Sequence, residues 1–350
     1  MTTPKSVLIF AEPKTIVSDG LVPHAVEEIS RIDGLSLEGI VDVKEDSDPS
    51  RFTGITNYFR YLISDISDFK QFVWRVYRRS RGFRNPTYAP YPSTLSMKGY
   101  DESIHCLPPE DDVQHPDFIS EIGEKQPDVI LLLGCSKIIN EQIIDIPTHG
   151  VVNYHWSYLP DYRGRRVTFW AAYNQEEYSG VTFHKIDPEI DQGVRINAER
   201  VRIEKGGRTL AHDCIKTGRR LLTPLLEAIS DGCIPENGKI KGGEYYSLER
   251  FEESNTEFDP SEGFNHNSRV VAAREGCLVE VSNGRNIMVT GLKSGENQTA
   301  PGECGEILGV GLKGIKVNLG GGVHYVNKIF YLPAYPLAKL LGIKEGMRIQ

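Results

Sequence analysis

Three stretches near the start of the chain alternate in character. Residues 6–11 (SVLIFA) are almost wholly apolar, residues 24–32 (HAVEEISRI) repeat apolar positions at helical spacing, and residues 37–43 (LEGIVDV) are again β-branched and apolar. That succession predicts strand, helix and strand, the opening of a doubly wound sheet. The first turn, AEPKTIVSDG, carries no G-x-G-x-x-G, so a nicotinamide-binding Rossmann domain is not supported. Residues 44–100 lose all periodicity and are rich in Ser, Pro, Tyr and Arg, which reads as a functional insertion over about 44–90. Regular alternation then returns, with a helix expected over 116–124, a buried strand over 127–134, a short helix over 140–146 and a strand over 150–155. Two further strands, 180–186 and 193–203, flank a short loop from Asp187 to Gln192. Leucines and isoleucines at helical spacing predict a helix over 209–231, despite Pro224. A polar, Gly-rich connector (232–265) leads to CLVEV, NIMVTGL, GEILGVG and GIKVNLGGGVHYVNKI, the pattern of a small antiparallel β-barrel. No repeat relates the two halves.

Composition narrows the class. A chain of 350 residues favours two domains, each with its own core, and 39% hydrophobic with 25% charged residues is the balance of a globular protein. No apolar stretch approaches the ~20 residues of a membrane span, and the N-terminus has neither the apolar length nor the cleavage site of a signal peptide. The expected location is the cytoplasm, with no membrane partner. The six cysteines (Cys106, Cys135, Cys214, Cys233, Cys277, Cys304) are scattered, which fits reduced thiols rather than a disulfide or metal framework. The net charge of −8 argues against nucleic acid, but from Asn265 onward ten Lys or Arg face six Asp or Glu. Residues 69–84 hold six cationic and no acidic residues, interleaved with Phe69, Phe72, Trp74, Tyr77 and Phe83. That cluster is either suited to a phosphate-bearing ligand or a solvated helix face.

Chemistry enters with VVNYHWSYLPDYRG, residues 151–164. A strand that begins apolar ends in Asn153 and His155, two positions apart and therefore on one side of its C-terminal tip. In an open α/β sheet ligands bind at that tip. The loop sequence PEIDQG brings a carboxylate, Asp191, 36 residues beyond His155. An Asn amide can donate to a developing oxyanion, an imidazole can move a proton near neutral pH, and a carboxylate can hold the imidazole and accept a proton from an amine. With no Ser or Cys nucleophile beside them, direct group transfer fits better than a covalent intermediate. A strand-end His is otherwise a hydrogen-bonded structural residue.

NYHWSYLPDYRG resembles the N-x-H-x-S-x-L-P-x-x-R-G signature of the folate-dependent formyltransferases, and GVTFHKIDPEIDQG is similar to their second signature, G-V-T-x-H-x-x-x-x-x-x-D-x-G. The likeness runs from about Asp128 to Ala228, and the tail looks like the barrel-shaped C-terminal domain of some members. The resemblance implies an α/β fold, a Rossmann-like, mostly parallel sheet followed by a small OB-like β-barrel. It divides the chain into a catalytic domain over 1–205, a helix and connector over 206–264 and a barrel over 265–350. It implies that Asn153 and His155 polarise a formyl group, that Asp191 orients His155 and takes the amine proton, and that 10-formyltetrahydrofolate is the cosubstrate. The folate would lie against Ser136, Lys137, Ile138 and Ile139, and against Asp187, Pro188, Glu189 and Ile190. No metal is implied. The chain departs from the family in H-W-S-Y-L-P, where Trp156 and Tyr158 add aromatic bulk, and in RRVTFW after the RG pair. Those departures tilt the amine acceptor toward a nucleotide-linked aminosugar. Methionyl-tRNA is the alternative, with tRNA as partner; hydrolysis of formyltetrahydrofolate ranks third, and a non-catalytic folate-binding protein last.

Overall fold

A computed structural model of the chain describes residues 3–12, 16–43, 104–106 and 113–350. The expected insertion over 44–90, with its basic cluster at 69–84, lies outside them. The chain forms two compact units, Met1–Thr148 and His149–Gln350.

The first unit is a parallel sheet. Strand β1 (Lys5–Ala11) lies between β2 (Leu35–Asp42) and β4 (Val129–Leu132), and β2 pairs with β3 (Ile104–Cys106), every pair parallel. Val7 to Phe10 and Val129 to Leu131 are fully or almost fully buried, as strands covered on both faces require. Helix α1 (Ile16–Arg31) begins eight residues before the expected start and accommodates Pro23 in its interior. Its buried stripe, Val17, Leu21, Val22, Ala25 and Ile29, follows the three-four spacing of an amphipathic helix. Helix α2 (Pro116–Lys125) is capped by the His115 ring, which accepts from the Asp117 amide. Helix α3 (Glu141–Ile144) is capped by Asn140, whose Oδ1 accepts from the Gln142 amide at 2.8 Å.

In the second unit β5 (Val151–His155) is followed by β6 (Arg163–Gly164) and helix α4 (Val167–Tyr173). Strands β7 (Tyr178–Lys185) and β8 (Gly193–Arg202) come next, and β5–β7 and β7–β8 are antiparallel pairs. Helix α5 (Gly207–Ser230) packs on β7 and β8 and keeps its helix through Pro224. Gly218 lets it come close, because a Cβ there would stand 2.5 Å from the Tyr154 ring.

The stretch expected to be a plain connector is more ordered than its composition indicates. It holds β9 (Lys239–Ile240) on β8, β10 (Tyr245–Tyr246) beside β6, and helix α6 (Leu248–Glu253), capped by Ser247. Helix α7 (Gly263–Arg274) was not foreseen. Its first turns are polar, and their anchor is a fully buried Asn267 whose amide accepts from the Asp259 amide and donates to the carbonyls of Asp259 and Gly263. Periodicity cannot register an anchor of that kind.

The C-terminal strands form a separate antiparallel sheet of β11 (Cys277–Val281), β12 (Arg285–Thr299), β13 (Ile307–Gly311), β14 (Gly314–Leu319), β15 (Gly322–Ile329) and β16 (Leu332–Pro333). The order is β11-β12-β15-β14-β13, with β16 on β15. Helix α8 (Ala334–Leu340) follows. The last residues join the two edges of this sheet. On the β11 side the Ser282 amide donates to the Arg348 carbonyl and the Gln350 amide to Glu280; on the β13 side the Ile307 amide donates to Met347 and the Ile349 amide to Gly305. Ile349 itself is buried in the sheet's core. Ile349→Ala should therefore cost about 2–5 kcal/mol and speed hydrogen exchange at the Ser282 and Ile307 amides. Unchanged exchange at both amides would show that the sheet holds its edges without the tail.

Candidate functional site

The register of β5 on β7 sets Asn153 opposite His184 and His155 opposite Thr182. Asn153 Nδ2 lies 3.2 Å from His184 Nε2, and His184 Nδ1 lies 2.8 Å from the Gln192 carbonyl. A carbonyl can only accept, so His184 carries its proton on Nδ1 and its Nε2 accepts from Asn153. One Asn153 N–H is thereby used, and among the described residues no acceptor takes up the second. Thr182 Oγ1 donates to the Ser157 carbonyl and accepts from the Leu159 amide, which pins the chain as it leaves β5.

His155 is almost buried. Its Nδ1 stands 3.3 Å from Asp191 Oδ1, and its Nε2 stands 2.9 Å from the Tyr162 carbonyl. The second Asp191 oxygen accepts from the Gly164 amide at 2.6 Å. Two loops thus meet at this pair, and both use left-handed backbone: Tyr162 (φ 57°), Gly164 (φ 96°), Asp191 (φ 52°) and Gly193 (φ 96°). The glycines are required, since a Cβ on Gly164 would lie 2.3 Å from the Tyr246 carbonyl and one on Gly193 would lie 2.1 Å from that of Lys185. Ser157 Oγ lies 2.5 Å from the Asp161 carbonyl and 3.0 Å from the Tyr162 carbonyl, so its single proton is divided between the two.

The structure therefore brings His155 and Asp191 into contact and sets Asn153 on the same strand face, tied through His184 to Gln192, the neighbour of Asp191. In the first unit, Ile138 is 64% exposed and Ile139 is buried, while the Ile138 carbonyl accepts from Gln114 Nε2 at 2.6 Å. Cys135 Sγ approaches the Lys137 carbonyl at 3.7 Å, and Ser136 Oγ is buried. In the second unit, Pro188, Glu189 and Ile190 are exposed, and Asp187 Oδ1 accepts from the Glu189 amide at 3.1 Å, shaping the loop as an Asx turn.

Sequence reasoning named neither His184 nor Tyr162 as a functional residue. The signal for His184 was present, because it alternates with Thr182 on a strand whose partner carries Asn153 and His155. Burial depresses its pKa to about 4, against the pull of Asp191, with the charge of His155 also opposing protonation. The unfolded chain then binds this proton at a higher pH than the folded one. Stability from this group is full above about pH 6.5 and falls as pH drops toward 4, by a total on the order of 3 kcal/mol. In His184→Gln that part of the slope of Tm against pH should vanish between pH 6.5 and 4; an unchanged slope would mean that His184 takes up its proton at the same pH in the folded and the unfolded chain.

With this geometry in view, likeness to known proteins falls into place. Residues 91–212 match the family model described as formyl transferase. The methionyl-tRNA formyltransferase of Caldanaerobacter subterraneus subsp. tengcongensis is 30% identical over 171 residues, 48% of this chain and 54% of that protein. The chain thus spans about half the length of the curated relative it matches. Among solved structures, the 4-N formyltransferase from Francisella tularensis superposes with a TM-score of 0.52 at 14% identity, over 82% of this chain and 96% of its own. The N-formyltransferase from Helicobacter canadensis, in complex with folinic acid and dTDP-3-aminofucose, gives 0.51 at 13% identity, over 92% and 98%. Identities that low speak for the fold, while the family model and the methionyl-tRNA relative speak for descent. The likeness to the formyl transferase family is carried by residues 91–212, about a third of the chain.

Proposed function

We propose that this protein transfers a formyl group from 10-formyltetrahydrofolate to a primary amine, that of a nucleotide-linked aminosugar. The observation that carries the reading is the His155–Asp191 pair at 3.3 Å, with an Asn153 amide oriented by His184 on the same strand face. The folate supplies an electrophilic formyl carbon. The second Asn153 N–H is available to the formyl oxygen as negative charge develops there. Asp191, fixed by Gly164 and His155, accepts the proton of the attacking amine, directly or through the imidazole. The new N–C bond forms as the bond from the formyl carbon to folate N10 breaks, and the proton leaves with N10.

Two segments are proposed to contact the folate, Ser136–Ile139 and Asp187–Ile190. Each exposes a large aliphatic side chain, Ile138 at 64% and Ile190 at 38%, of the kind that walls a flat apolar ring. We assign catalysis to residues 1–205, the helix and connector to 206–264 and an OB-like role to 265–350. The cytoplasm is the proposed location; no helix among the described residues is long and apolar enough to cross a membrane.

The aminosugar acceptor is supported by the aromatic bulk of Trp156, the neighbour of His155, and by the dTDP-3-aminofucose bound to the Helicobacter canadensis neighbour. Methionyl-tRNA is the second reading, favoured by the 30% identical relative.

His155→Asn and Asp191→Asn should each lower formyl transfer by about two to three orders of magnitude while circular dichroism stays native; near-normal turnover in either variant would remove it from the reaction. The acceptors separate through salt. Binding of tRNA with six to ten phosphate contacts should weaken by about 10³–10⁵ between 50 and 200 mM salt, whereas a nucleotide sugar with two phosphates should respond far less. A shallow slope in a tRNA titration would count against the translation role.

A further inference from the structure

A cleft of about 330 Å³ opens on the second unit, lined by Tyr158, Tyr162, Tyr178, Asp161, Glu176 and Arg200 among others. None of Asn153, His155 and Asp191 lines it. At its wall sits Ser179, 4% exposed, whose buried hydroxyl has no hydrogen-bond partner among the described residues. Buried hydroxyls are nearly always satisfied, so one left open at the edge of a cleft points to a ligand.

The lining narrows the chemistry. Glu244, Glu176 and Asp161 all contribute carboxylates, which disfavours an anion. Arg200 lies 4.4 Å over the Tyr158 ring, occupying the aromatic surface that a small cation would seek. Tyr246 stacks on one face of Tyr162 at 5.1 Å, and Tyr178 is 42% exposed. What remains is open aromatic surface beside acceptors (Asp161, Glu176) and donors (Arg200, Ser179). A pyranose ring uses both, packing its C–H face on a tyrosine while its hydroxyls donate to carboxylates and accept from the guanidinium.

Tyr162 joins this cleft to the reaction centre. Its ring lines the cleft and its hydroxyl donates to Glu176 at 2.8 Å, while its carbonyl accepts from His155 Nε2 at 2.9 Å. Its backbone is left-handed at φ 57°, a conformation held by its surroundings rather than by its own preference. We propose that the cleft is a second ligand site, for a sugar ring, and that its occupancy is transmitted to His155 through the Tyr162 carbonyl. The proposal does not depend on the acceptor assigned above, nor on formyl transfer.

Two readouts on the full chain test it, with methyl β-D-glucopyranoside as probe and choline and inorganic phosphate as comparisons. Saturation-transfer NMR should show saturable transfer to the sugar C–H protons, reduced at least tenfold in Tyr178→Ala and in Glu176→Gln, both at exposed positions. The imidazole ¹⁵N resonances of His155 should shift on sugar addition in the wild type and stay fixed in Tyr178→Ala. Absence of saturable transfer, transfer unaffected by both substitutions, or binding of choline or phosphate in place of the sugar would overturn the site. Sugar binding with no shift at His155 would overturn the coupling.

Discussion

The pairing of β5 with β7 is the constraint on which the rest of the candidate site depends. Strand geometry alternates faces with a period of two, so one choice of register decides the surroundings of every side chain on both strands. Tyr154 and Phe183 are cross-strand partners, nearly or fully buried, with ring centroids 5.3 Å apart, and Tyr154 lies against Gly218 of α5. Burying two such rings is worth about 1.5–3 kcal/mol each. A slip of β5 by one residue would bring the Tyr154 ring out of that layer and drive Asn153 and His155 into it without partners. The apolar layer beneath α5 therefore selects the register, and the register delivers the polar groups to the other face.

Once the strands are fixed, the loops must turn hard to bring Asp191 to His155. Left-handed backbone at Tyr162, Gly164, Asp191 and Gly193 does this, at a cost of about 1–3 kcal/mol for each residue other than glycine. The restraints that offset it are local. Thr182 and Ser157 tie down residues 157–162, the Arg195 guanidinium donates to the Leu159 carbonyl, and the Gly164 amide closes on Asp191. Two glycines of the sequence signatures, Gly164 and Gly193, are accounted for by the 2.3 Å and 2.1 Å approaches that a Cβ would make.

Much of this was legible in the sequence because it rests on patterns of short range. Buried parallel strands are apolar runs, and Asn153 and His155 stand out as polar residues at the end of one. Asp191 follows from the loop sequence and the signature. What sequence reasoning missed depends on contacts distant along the chain. Helix α7 is held by the buried Asn267 amide, α1 continues through Pro23, and the C-terminal sheet is joined at its edges by residues 347–350. The partnership of Asn153 with His184 becomes visible only when the register is known, since 31 residues separate them. The cleft beside Tyr162 gathers residues from Tyr158 to Tyr246, a span over which no periodicity operates.

The position of His155 ties these strands of argument together. Both of its ring nitrogens face oxygen acceptors, Asp191 on one side and the Tyr162 carbonyl on the other. A protonated ring satisfies both, whereas a neutral ring must give one up. The Asp191 contact is braced by Gly164, whereas the Tyr162 carbonyl lies within reach of the Ser157 hydroxyl, whose single proton rests nearer the Asp161 carbonyl and can turn to Tyr162 when His155 turns away. Of the two contacts, the one to Tyr162 is therefore the more readily exchanged for a ligand oxygen. In the proposed transfer a formyl oxygen and the Tyr162 carbonyl would compete for the same imidazole N–H, so the conformation of one strained loop residue sets how readily His155 can act.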